Sequence, residues 1–85
     1  MHELSIALEV CRMAEEHVGR TRVGQLVEVG LEVGDDAGVE IESLRFCLEA
    51  ALANPPFTGA RPVIERRRGD ALLLSYLELA DETDG

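Results

Sequence analysis

The sequence predicts an α+β fold, two helices packed on one face of a small three-stranded sheet. Two stretches carry apolar residues at helical spacing, three others alternate or concentrate apolar residues as strands do, and turn-forming residues separate them in the order α-β-α-β-β. At 85 residues the chain has room for one domain, and a domain of this size buries only about 60% of its unfolded surface. A deep catalytic cavity is therefore not expected. Residues 1–80 form the expected domain, and the acidic residues 81–85, which lack apolar side chains, are expected to fray.

The first helix is expected over residues 4–19. Leu4, Ala7, Leu8, Cys11, Ala14 and Val18 follow a helical stripe, which Ile6, Val10 and Met13 widen. Ser5 suits the start as a cap and Gly19 suits the stop. After Arg20-Thr21-Arg22, the odd positions Val23, Val27, Val29, Leu31 and Val33 alternate with Gly24, Glu28, Gly30 and Glu32, which is strand periodicity. The segment from Gly34 to Gly38 ends that strand with two glycines and two aspartates.

Leu44, Cys47, Leu48, Ala51 and Leu52 predict a second helix over residues 42–53, stopped by Asn54-Pro55-Pro56. Two strands follow, over residues 60–67 and 71–79, joined by the tight Arg68-Gly69-Asp70 turn, and this spacing predicts that they pair antiparallel.

A net charge of −9, from 17 acidic residues against eight arginines and no lysine, repels nucleic acid and anionic membrane. The sequence has no basic n-region and no uninterrupted apolar run long enough for a signal peptide or a membrane span, which points to the cytoplasm. Cys11 and Cys47 lie inside apolar helical patterns and neither belongs to a Cys-x-x-Cys pair, so both are read as core residues. His17, about four turns from His2, is read as a surface residue. Neither a phosphate-binding glycine loop nor a Ser, His and Asp set at catalytic positions is present, and an enzyme is not expected.

Met1-His2-Glu3 is the candidate metal-binding set, with a frayed terminal segment as the other reading of these residues. A free amine followed by histidine sets an amine, a backbone amide and an imidazole in adjacent chelate rings, a planar nitrogen set that nickel(II) favours. If metal displaces amide protons, the amides of His2 and Glu3 complete the plane. Copper and zinc also bind imidazole, so these ligands alone do not select the metal. Removal of the initiator Met is disfavoured by the bulky His2 side chain. Asp35, Asp36, Glu40 and Glu42 form an acidic cluster that either supports a cation near the amino terminus or caps the second helix. Arg66-Arg67-Arg68 is most simply a solvated strand edge, with a docking patch for an acidic partner as the other reading.

The opening Met1-His2-Glu3-Leu4-Ser5-Ile6, then Leu31-Glu32-Val33-Gly34, Val39-Glu40 and Glu42-Ser43-Leu44-Arg45-Phe46-Cys47, in this order and spacing, resemble the HypA/HybF family of hydrogenase nickel-incorporation proteins. The resemblance implies a cytoplasmic metallochaperone that delivers Ni(2+) to the large subunit of a nickel-iron hydrogenase, and in some organisms to urease. A HypB-type GTPase is the implied working partner. It also implies that Met1, His2 and Glu3 hold the metal, with Glu40 close by. Family members carry a zinc-binding module with two Cys-x-x-Cys pairs between the last two strands. Here Val63-Ile64-Glu65-Arg66 leads through Gly69-Asp70 straight into the segment from Leu72 to Leu79, so no zinc is expected. A metal-free interaction module that docks on hydrogenase or its maturation proteins is the alternative, and the exposed sheet edges leave a homodimer open.

Overall fold

In a computed structural model that describes residues 2–80, the elements run α1 (Glu3–Val18), a 3-10 turn (Val23–Gln25), β1 (Leu26–Gly34), α2 (Ile41–Leu52), β2 (Arg61–Arg67) and β3 (Leu72–Leu79). The predicted α+β architecture is therefore present, and the expected acidic tail lies outside the described residues. Among those residues, no helix is long and apolar enough to cross a membrane.

α1 buries Ala7, Val10, Cys11 and Ala14, and its chain leaves through Gly19 at φ 91°, a left-handed conformation that glycine adopts without a Cβ clash. Its apolar face is narrower than the sequence suggests, because Leu4 and Leu8 stand 57% and 56% exposed. The helix starts ahead of Ser5, and His2 is the cap residue instead, with extended backbone and no side-chain cap bond. α2 packs Leu44, Leu48 and Leu52 fully out of solvent against α1 and the sheet.

The strand predicted from Val23 begins three residues later, after the 3-10 turn. In β1, Val29, Leu31 and Val33 are 0–1% exposed in the core shared with the helices, while Glu28, Gly30 and Glu32 take the opposite face, as a two-residue period requires.

The sheet order corrects one expectation. β2 and β3 do not pair with each other: the order is β2-β1-β3, with β1 parallel to β2 and antiparallel to β3. The physical reason lies in α2 and Pro62. A helical crossover between β1 and β2 is what a parallel pair needs. Pro62 lacks an N–H and so suits the edge position that β2 occupies.

The link from β2 to β3 must then cross the end of β1. It does so over Gly34, whose N–H donates to the Ala71 carbonyl (2.7 Å), while the Asp35 and Asp36 amides donate to the carbonyls of Arg67 and Gly69 (2.8 Å each). A Cβ on Gly34 would lie 2.2 Å from the Gly69 oxygen, so only glycine fits beneath this strap.

On the outer sheet face, Arg61 of β2 and Tyr76 of β3 both donate to the Glu28 carboxylate of β1, tying the three strands together. The Tyr76 ring lies on Gly30, where a Cβ would come within 2.3 Å of it.

Candidate metal centre

Asp35, the first residue after β1, and Glu40, the last before α2, are five residue steps apart, at most about 18 Å, and Glu3 at the start of α1 bonds to Glu40, so the strap and the beginnings of both helices share one end of the molecule. The acidic residues of this loop take separate tasks. Asp35 pairs with Arg66 (3.2 Å) and Glu42 pairs with Arg45 one turn on (3.6 Å). Glu40 is the cap of α2, its Oε1 accepting the Ser43 N–H at 2.9 Å, which satisfies one of the donors that a helix start leaves without a partner.

A capping box needs a second carboxylate, three residues into the helix, to accept the N–H of the cap residue itself. That position in α2 is Ser43, which cannot reach back. The missing acceptor comes from α1: Glu3 Oε2 accepts the Glu40 N–H at 2.9 Å. This bond, and next the amide of Glu3 itself, hold the Glu3 carboxyl below the usual carboxylate range. Sequence spacing brought Glu3 and Glu40 together only through the family resemblance. The local signal for their contact is an acidic cap residue on α2 with no acid at the third helical position.

His2 is exposed directly before α1, and its carbonyl accepts the Ile6 N–H at 3.2 Å. The amide nitrogens of His2 and Glu3 lie ahead of the helical ladder and give no hydrogen bond to a carbonyl within α1. A metal that replaces their protons therefore breaks no helix bond. Met1 lies outside the described residues. Among those residues, no three His, Cys, Asp or Glu side chains group as ligands for an ion.

The other candidates are placed away from this corner. His17 is exposed near the far end of α1. Cys11 is buried, and desolvation pushes its thiol up, away from the thiolate that metals bind; Cys47 is half-buried. Of the basic run, Arg66 pairs with Asp35 while Arg67 reaches Glu32 (3.5 Å) and Glu65 (2.7 Å), which is a solvated, self-paired edge. Arg68 lies beyond the end of β2. Phe46, quoted above only for the family resemblance and given no role, stands 71% exposed on α2, opposite Leu44 and Leu48.

Comparison with known proteins places these features in a family context. A family model described as hydrogenase/urease nickel incorporation, metallochaperone, hypA matches residues 1–72. A hydrogenase maturation factor HypA of Azotobacter chroococcum is 42% identical over 74 residues, which cover 87% of this chain and 66% of that protein. One of Chlorobaculum parvum is 42% identical over 65 residues, covering 76% and 58%. The chain thus spans about three fifths to two thirds of the length of these curated relatives. The solution structure of the Ni metallochaperone HypA from Helicobacter pylori superposes with a TM-score of 0.73 at 13% identity, covering 96% of this chain and all of that one, which establishes the shared fold.

Proposed function

The chain belongs to the HypA family of hydrogenase/urease nickel-incorporation metallochaperones, and on that premise we propose that it carries nickel(II) on its amino terminus for the maturation of a nickel-iron hydrogenase. In this reading Met1 supplies its amine, His2 its amide and imidazole, and Glu3 its amide, in one plane around the cargo ion. The observation that carries the reading is the state of the corner: His2 is exposed and both amides stand ahead of the helix ladder. The Glu3 carboxylate, tied to the Glu40 N–H, fixes the entry of α1 against α2. Glu40, whose Oε1 caps α2, acts as a neighbour that holds the corner in shape and not as a direct ligand.

Electrostatics favours amide over carboxylate ligation here. The start of a helix is electropositive and opposes a bare dication. Two deprotonated amides cancel the charge of nickel(II), so a planar complex meets no such penalty. Because nickel must displace amide protons to bind, affinity falls as pH falls. Delivery would take place in the cytoplasm with a HypB-type GTPase and the hydrogenase large subunit as partners, and urease is a second receiving enzyme. No zinc is required by this reading, as the chain passes from Arg67 to Leu72 through four residues and holds no Cys-x-x-Cys pair.

Nickel titration of the untagged protein tests the proposal against His2→Ala. Loss of binding in the variant is expected, and equal affinity would overturn the terminal site. The second reading, a metal-free docking module, is favoured by the exposed Leu4, Leu8 and Phe46. It predicts no specific nickel binding in either protein.

A further inference from the structure

The two helices leave one end of the molecule side by side. Both start at the joint where Glu3 accepts the Glu40 N–H. They also run the same way: β1 and β2 are parallel, and α1, which leads into β1, and α2, which leads into β2, each return along the sheet in the opposite sense. Leu8 is five residues beyond Glu3 and Phe46 six beyond Glu40, about 8 and 9 Å along their axes, so the two stand level. Ile6, Val10 and Met13 line the space beside β3, and Leu8, about 160° around the helix from both Ile6 and Val10, belongs with Leu4 to the other flank, toward α2. On α2, Ser43 and Cys47 continue the row that begins at Glu40, the residue α1 holds, and Phe46 stands on the outer side of that row. Leu4 and Leu8 thus line one side of the seam between the helices and Phe46 the other.

All three side chains are more than half exposed. A single apolar side chain at a surface needs no explanation, but three adjoining ones do. Charge identifies what covers them. The helices, with the α2 cap residue, carry seven carboxylates against two arginines, whereas the three strands carry four against three. Phe46 is framed on its own row by Glu42 and Glu49, about one turn either way, and the row of Leu8 continues to Glu15. Both arginines are already held, Arg12 by Glu9 and Glu16 and Arg45 by Glu42. This rim repels nucleic acid and anionic lipid and attracts lysine and arginine. Shape narrows the partner further. The trough between two parallel helices fits a third helix, which packs about 8–10 Å from each axis and anchors itself by apolar residues one turn apart.

We propose that the seam of α1 and α2 is a docking groove for an amphipathic helix of a partner protein, one whose apolar stripe is flanked by lysine or arginine. Leu4, Leu8 and Phe46 meet the stripe, and Glu15, Glu42 and Glu49 meet the cations. The groove uses neither the amine of Met1 nor the imidazole of His2, so it stands whether or not the terminus carries nickel.

Fluorescence anisotropy with the full, metal-free chain tests it, using two labelled synthetic helices of about 18 residues that share one leucine stripe and differ only in carrying lysine or glutamate beside it. The lysine peptide is expected to bind with a Kd below about 100 µM at low salt, and the glutamate peptide not to bind. Leu8→Ser and Phe46→Ser should each raise Kd at least about fivefold, while Leu73→Ser on the outer sheet face should leave it within about twofold. Glu42→Gln with Glu49→Gln should weaken binding about threefold or more. Glu65→Gln with Glu78→Gln makes the same change in net charge on the sheet and should not. His2→Ala should bind the lysine peptide as the native chain does. Circular dichroism melts of each variant establish that it is folded. No binding of the lysine peptide up to about 1 mM, equal binding of the glutamate peptide, or indifference to both Leu8→Ser and Phe46→Ser overturns the proposal. Association of the chain with itself that Phe46→Ser abolishes, with no peptide bound, gives the face to a second copy and overturns it as well.

Discussion

The strap over β1 and the corner proposed to hold metal lie at the same end of the molecule, yet they are held in opposite ways. The strap is fixed by three backbone hydrogen bonds and by the absence of a side chain at Gly34. The corner is tied to α2 by one carboxylate, Glu3, on one amide, Glu40, and its histidine is exposed. Folding therefore depends on the first, and the chemistry proposed for the second is free of the fold. A chelating terminus benefits from that separation, because its amides must give up protons and its donors must reorient around the metal.

The sharpest way to break the contrast is Gly34→Ala. With the Gly69 carbonyl 2.2 Å from the new Cβ, strap and strand must move apart, and a loss of about 3 kcal/mol is expected in urea unfolding. Glu40→Ala probes the joint between the regions. Loss of the α2 cap should cost about 1 kcal/mol, with faster amide exchange at Ser43. His2→Ala should change the unfolding free energy by less than about 0.5 kcal/mol while removing nickel binding. A large loss of stability in His2→Ala would erase the distinction between the two regions.

The smallest effect concerns pH at the outer face. Arg61 and then Tyr76 hold Glu28 below the ordinary carboxylate value of 4.5, so its stabilisation is present above that pH and fades as pH falls through the lowered value. Glu28 in turn raises Tyr76 above 10, so that contribution is complete below pH 10 and fades as pH rises through the raised value. Thermal melts of Glu28→Gln should lose part of both limbs of the stability profile.

Much of this was legible in the sequence. Apolar spacing located both helices and all three strands to within a few residues, since burial of Ala7, Cys11, Leu44 and Leu48 is what writes that pattern. The strand pairing was misjudged, because a short link between two strands resembles a hairpin whether or not a third strand lies between them. The helix between β1 and β2, a crossover that allows a parallel pair, carried the information that bears on it, and Pro62 agrees with an edge position for β2. At the site, His2 and Glu3 stood out as residue types. The contact of Glu3 with Glu40 spans 37 positions, and no local periodicity encodes a cap shared between two helices.

The most direct measurement adds one residue ahead of Met1 and compares nickel absorption spectra of the extended and native proteins, with melting curves for both. The account predicts that the band of planar nickel disappears on extension, because the amine is moved out of its chelate ring, while the melts coincide. An unchanged band and affinity in the extended protein would contradict it and would move the nickel site elsewhere in the chain.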